Sequence, residues 1–213
     1  MHTIELENYN KTIKGEQVLK NINLILQSGK IYGVVGENGS GKSMLFRAIS
    51  GLINLDSGIT KCDGKIVPGR LNQVIDIGLV LENINLYMDM TAVENLCYLA
   101  KIRGKITKQD VIRVLERVGL DSKSNKKIKT YSLGMRQKLI IAQAIMEKQD
   151  LILLDEPSNA LDEKSVEVFH NIVKEEAKRG AIVVIASHNK SDISGICDQV
   201  YTMASGVLKH AEG

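Results

Sequence analysis

The chain has 213 residues, 28 basic and 25 acidic, with a formal net charge of +3; 44% of residues are hydrophobic and 25% charged. That bounds one compact domain, or one domain with a small insertion, with enough apolar content for a core. The even charge balance gives no support for nucleic acid or an anionic membrane as the main partner. Cys62, Cys97 and Cys197 are far apart, odd in number and without a CxxC pair, so neither a disulfide framework nor a zinc site is indicated and reduced thiols are expected. The first residues, Met1-His2-Thr3-Ile4-Glu5, show no basic segment followed by an apolar one, so no secretory signal is expected. The longest apolar runs, such as Ala181 to Ala186, are strand-sized and well below the ~20 residues of a membrane span.

In chain order, Thr3 to Tyr9 alternates as a strand and Val18 to Leu26 does so again, with a turn at Ile13-Lys14-Gly15-Glu16 between them. Ile31 to Val35 reads as a buried strand and Met44 to Ile49 as a helix stopped at Gly51. Asp63-Gly64 inside Ile59 to Val67 marks a hairpin, and Ile75 to Leu81 a buried strand. Thr91 to Arg103 then takes a helical period, with Val93, Leu96, Cys97 and Ala100 on one face; Thr107 to Val118 continues it and Gly119 ends it. Lys123 to Lys127 reads as a solvated loop. Leu151 to Leu154 is a buried strand, Glu163 to Lys178 an amphipathic helix facing inward through Val166, Phe169, Val173 and Ala177, and Ala181 to Ala186 an all-apolar strand. A short helix and strands at Val200 to Met203 and Val207 to Lys209 close the chain. Strands alternating with helices, apolar on both sides, predict a largely parallel, doubly covered sheet.

Two segments carry chemistry. Gly36-Glu37-Asn38-Gly39-Ser40-Gly41-Lys42-Ser43 fits G-x-x-x-x-G-K-[ST], between a buried strand and a helix. Backbone N–H groups freed by the glycines cradle phosphate, and the helix adds its positive N-terminal end. Lys42 is placed to reach β- and γ-phosphates, and the Ser43 hydroxyl to hold Mg²⁺. The second segment is Leu151-Ile152-Leu153-Leu154-Asp155-Glu156-Pro157, four apolar residues ending in two carboxylates. Acids at the C-terminal end of a parallel strand lie where ligands bind. Asp155 is suited to the metal's shell and Glu156 to orienting or deprotonating an attacking water. Upstream, Tyr131-Ser132-Leu133-Gly134-Met135 opens a helix for which Ser132 is a good N-cap.

Taken together, the chain resembles the nucleotide-binding subunits of ABC transporters along essentially its whole length. Gly36 to Ser43 is the Walker A loop, Tyr131 to Met135 the signature motif, Leu151 to Glu156 the Walker B strand and glutamate, Ser158 to Asp162 the D-loop and His188 the switch histidine, while Asp198 and Gly206 fit the closing strands. The resemblance implies an α/β P-loop NTPase fold with a mainly parallel sheet, an N-terminal antiparallel β subdomain and a helical insertion. Residues 1–82 and 146–213 would form the catalytic core and about 83–145 the helical subdomain. It implies ATP hydrolysis with Mg²⁺, with Glu156, His188 and Lys42 catalytic. Nucleotide contacts fall to Gly36, Glu37, Asn38, Gly39, Ser40, Gly41, Lys42, Ser43 and Met44, and to Ser132 and Gly134 of a second subunit across a head-to-tail homodimer. The expected partners are transmembrane permeases, with the chain peripheral on the cytoplasmic face of the cell membrane and no nucleic acid bound.

Three positions depart from the family pattern. The signature has Leu133 and Met135 where Gly and Gln are usual. Position 82, expected to be the Q-loop glutamine, is Glu82, which could still ligate the metal as a hard oxygen donor. No aromatic occupies the adenine-stacking position near Ile13; Tyr9 shares its parity but lies early. The signature variant resembles the bacitracin-resistance and lantibiotic-immunity branch of exporters, and a glutamate at position 82 resembles the lantibiotic-immunity group. Two other readings stay open on sequence alone: a soluble ABC-type ATPase of translation or DNA maintenance, and a nucleotide-binding regulatory module that does not hydrolyse.

Overall fold

In the computed structural model, residues 1–81, 85–193 and 195–211 are described, without the side chain of Ser191. They form two sheets. The first is antiparallel, in the order β2 (Glu16–Gln27), β1 (Thr3–Ile13), β4 (Ser57–Cys62), β5 (Lys65–Ile66). The second runs β10 (Val207–His210), β9 (Gln199–Ala204), β3 (Ile31–Val35), β8 (Ile182–Ser187), β7 (Leu151–Asp155), β6 (Ile77–Val80), and is parallel except for the β9–β10 hairpin.

The central strands are apolar throughout because both faces are covered. Leu151 and Leu153 of β7, with Ile182, Val184 and Ala186 of β8, face a core that holds Leu45, Phe46 and Ile49 of α1 (Lys42–Ile49) and Leu24 and Leu26 of β2. Helix α1 is thus enclosed between the sheets. Ile152 and Leu154, with Val183 and Ile185, face the opposite core, against Leu139, Ala142 and Ile145 of α4 (Leu133–Ile145) and Phe169 and Val173 of α5 (Glu163–Lys178). The period of two within each strand therefore divides the molecule into its two cores.

Several faces differ from the simple periodic expectation. In β1 the register shifts between Leu6 and Tyr9 and again at Lys11 and Thr12, with Asn8 left-handed at φ 53°. These bulges abolish the shared parity of Tyr9 and Ile13. Tyr9 is buried in the core with its hydroxyl against Thr60, while Ile13 is half-buried. On α2 (Ala92–Arg103) the buried residues are Ala92, Asn95, Leu96 and Ala100, with Val93 and Cys97 half-buried. Asn95 turns inward because its amide donates to the Tyr87 carbonyl at 3.2 Å. On α5, Val166 is half-buried and Ile172 buried. Glu176 is buried too, held by Arg117 and Arg179.

Helices α2 and α3 (Lys108–Arg117) both start with capping boxes, Thr91 with Glu94 and Thr107 with Asp110. The Thr91 N–H and the Lys127 ammonium hold the Glu94 carboxyl down to about 2; the Thr107 hydroxyl and N–H, with Arg113, hold Asp110 to about 2. A depressed carboxyl stabilises the fold above its unfolded value and loses that contribution as pH falls through the folded one. Helical ellipticity is therefore expected to weaken between about pH 4.5 and 2. In the double variant Glu94→Gln, Asp110→Asn this segment of a circular-dichroism pH titration should flatten; an unchanged profile would remove the two caps as the cause.

Candidate nucleotide site

Strand β3 delivers the chain into the glycine loop, and the Gly36 N–H donates to the Ser187 carbonyl at 3.2 Å, anchoring the loop to β8. At Gly36 a Cβ would lie 2.2 Å from the Met203 carbonyl oxygen, so only glycine admits the β9 backbone there. The β9–β10 turn clamps the loop from outside: the Gly206 N–H donates to the Ser40 carbonyl at 2.9 Å, and the Lys20 N–H to the Gly206 carbonyl at 2.8 Å. Asp198 has a bracing task, its carboxylate accepting the Ile31 N–H at 2.8 Å at the start of β3. Gly41, at φ 112°, ends the loop and caps α1.

Lys42 is buried and its ammonium donates to the Gly36 and Glu37 carbonyls at 2.6 and 3.1 Å. The Ser43 hydroxyl donates to Asp155 Oδ2 at 2.5 Å across to β7. Glu156 follows in a left-handed conformation at φ 49°, rare for a non-glycine residue, with its N–H bonded to the Ala186 carbonyl at 2.9 Å. Its Oε1 lies 3.7 Å from the Lys42 ammonium and its Oε2 accepts from His188 Nδ1 at 2.9 Å. Lys42, Glu156 and His188 are thus one connected group, and the Ser43–Asp155 pair adjoins it through the chain. Glu156 is buried, while His188, just past β8, is half exposed.

A cavity of about 330 Å³ opens beside these residues, lined by Val18, Asn38, Lys42, Ser43, Asp155 and Glu156 among others. A second, of about 270 Å³, adjoins it between Glu37, Ser40 and the start of β2, and is lined also by Glu16, Gln17 and Ser205. Sequence patterns missed Val18 and Gln17, since nothing in strand alternation marks a residue that fronts a ligand. Neither cavity is lined by an aromatic side chain or by Ile13. Buried Tyr9 has no access to them as a stacking partner.

Ser132 and Gly134 lie apart from these cavities, at the start of α4. Ser132 Oγ accepts the Met135 N–H at 3.2 Å as the N-cap, and the Leu133 side chain projects into solvent. At Gly134 a Cβ would approach the Ala160 carbonyl to 2.8 Å, and Gln137 donates to the Pro157 carbonyl at 3.0 Å. The signature end of α4 is therefore braced on residues 157–160, which directly follow Glu156. Glu82 lies outside the described residues.

A P-loop feeding a helix enclosed in a parallel-sheet core, facing two acids at the end of a second strand away from it, defines a nucleoside-triphosphate-binding domain. Residues 19–159 match the ABC transporter family. The ABC transporter ATP-binding protein YybJ of Bacillus subtilis strain 168 is 44% identical over 98% of this chain and 96% of its own length. The bacitracin transport ATP-binding protein BcrA of Enterococcus faecalis is 36% identical over 97% of this chain and 68% of its own length. The fold superposes with a TM-score of 0.85 on a dimeric, post-hydrolysis ATP-binding cassette, MJ0796, bound to ADP and phosphate, at 26% identity and 99% coverage of each chain. The chain belongs to the ABC transporter family, as an ATP-binding subunit that hydrolyses ATP.

Proposed function

We propose that this subunit drives export of peptide antibiotics or similar amphipathic compounds, docked on transmembrane permease subunits at the inner face of the cell membrane. The likeness to the bacitracin transport protein supports the substrate class. Among the described residues no helix is long and apolar enough to cross a membrane, so spans would have to come from a partner. Co-expression with a six-span membrane protein from a neighbouring reading frame tests this reading. The expected result is co-purification in detergent and ATPase activity stimulated by a peptide antibiotic; co-purification with ribosomes or DNA instead would overturn it.

The observation that carries the catalytic reading is the Lys42–Glu156–His188 group beside the P-loop. Backbone N–H groups of residues 36–41 and the end of α1 bind the phosphates, and Lys42 exchanges its loop carbonyls for β- and γ-phosphate oxygens. Buried Glu156 accepts the proton of the attacking water, and His188 contacts the γ-phosphate and holds the carboxylate in place. Ser43 and Asp155 meet as hard oxygen donors in a largely buried setting, a set that suits Mg²⁺ rather than a soft metal. Glu82 is the third candidate donor. When bound, the ion would neutralise charge on the phosphates. Ser132 and Gly134, outside the chain's own cavities, would cover the γ-phosphate of a second copy in a head-to-tail dimer.

The rim around Val18 carries no aromatic side chain and leaves the base without a stacking partner, a contact worth roughly 1 kcal/mol or more. GTP is accordingly expected to be hydrolysed with kcat/KM within about tenfold of ATP. Parallel phosphate-release assays check this; a preference for ATP above a hundredfold would show that another contact reads the base.

A further inference from the structure

At one end of the antiparallel sheet, where β1 starts and β4 ends, His2, Cys62 and Asp63 come together; among the described residues this is the one group of three or more His, Cys, Asp or Glu side chains close enough to share a metal ion. His2 Nδ1 lies 2.9 Å from Asp63 Oδ2, Cys62 Sγ 4.0 Å from His2 Nδ1 and 3.9 Å from Asp63 Oδ2. A triangle with sides of 2.9, 3.9 and 4.0 Å has its centre about 2.1 Å from every corner. Bonds from zinc to nitrogen and oxygen are about 2.0–2.2 Å, and to sulfur about 2.3 Å. The three donors therefore surround a point at about zinc-bonding distance from each, which an ion can occupy once the His2–Asp63 hydrogen bond is given up.

We propose that His2, Cys62 and Asp63 form a binding site for a borderline divalent cation of the Zn²⁺ class, with its remaining position open to water. Cys62 ends β4, and His2 and Asp63 directly flank the paired ends of β1 and β4. Ile4 pairs with Cys62 in the β1–β4 register, and the Asp63 N–H donates to the Thr3 carbonyl at 2.8 Å. Asp63 Oδ1 accepts the Thr3 N–H at 2.8 Å, which fixes the carboxylate and leaves Oδ2 facing the other two donors. Such support of a ligand by a neighbouring N–H is what metal sites use to hold geometry. Thiolate and carboxylate together match the charge of a divalent cation, and the thiolate with imidazole selects Zn²⁺ or Co²⁺ over Mg²⁺ or Ca²⁺. On binding, Cys62 releases its proton and the imidazole keeps its own on Nε2. The site ties the start of β1 to the β4–β5 hairpin, and it is independent of the ATP site, whose donors are oxygens.

Co²⁺ titration of the full chain tests the assignment, because only a thiolate ligand gives an intense near-ultraviolet charge-transfer band. The expected result is that band at one equivalent, its displacement by Zn²⁺, and its persistence in Cys97→Ser and Cys197→Ser. Cys62→Ser should abolish it. Asp63→Asn, which keeps an oxygen for the Thr3 N–H, should weaken Co²⁺ binding at least tenfold. Absence of the band in the wild type, or a band unaffected by both Cys62→Ser and Asp63→Asn, would overturn the proposal and leave an ordinary His2–Asp63 ion pair.

Discussion

Glu156→Gln is expected to bind ATP with an affinity within a few fold of wild type and to lower turnover by about 10²–10⁴-fold, the usual span for a positioned general base. The amide keeps the shape that reaches toward Lys42 and His188 and loses the basic oxygen. Glu156 Oε1 is 3.7 Å from the Lys42 ammonium and both side chains are buried. Removing the carboxylate charge leaves Lys42 held by the Gly36 and Glu37 carbonyls, so the loop keeps its cation in place for phosphate. Binding and hydrolysis should therefore separate cleanly. Nucleotide binding by a fluorescent ATP analogue, phosphate release in single turnover, and thermal unfolding of the same preparation check the three parts. Turnover near wild type in a folded protein would take the base role from Glu156. His188→Ala should lose less, because His188 is half exposed and acts on Glu156 from one side.

The P-loop and the acidic strand were legible because each is a local pattern with a physical cause. Glycines mark close backbone approach, and an uninterrupted apolar run ending in acids marks a buried parallel strand that opens on a crevice. Elements with strong periodicity, such as Glu163–Lys178, matched to the residue. What sequence could not supply depends on contacts distant along the chain. The bulges of β1 follow from its pairing with both β2 and β4, and they send Tyr9 into the core against the alternation of its strand. Asn95, a polar residue outside the expected apolar face of α2, is turned inward by a single bond to the Tyr87 carbonyl. Val18 fronts the cavity only because β2 runs beside the P-loop. The His2–Cys62–Asp63 cluster joins residues some sixty positions apart, and Cys62 taken alone gives no metal-binding spacing.

Gly134→Ala should separate the two halves of the proposed dimeric site. The added methyl would meet the Ala160 carbonyl oxygen at 2.8 Å, a backbone atom that cannot swing aside. The start of α4 must then lift from residues 157–160, carrying Ser132 with it. Alanine favours a helix over glycine by up to about 1 kcal/mol, which offsets part of the clash, so global stability should change little. Gly134 lines neither cavity beside the P-loop, so ATP binding to the single chain should be unaltered. Turnover should fall at least tenfold, since displacements near 1 Å in a positioning group cost up to about a hundredfold. The same change placed on the Glu156→Gln background isolates the cause. Glu156→Gln alone is expected to accumulate an ATP-dependent dimer, visible by light scattering after gel filtration, because closure is retained and reopening by hydrolysis is not. With Gly134→Ala added, that dimer should be lost while each chain still binds nucleotide. A double variant that dimerises as before would mean that the N-terminus of α4 does not cover the second copy's γ-phosphate, and Ser132 would then be no more than the cap of its own helix.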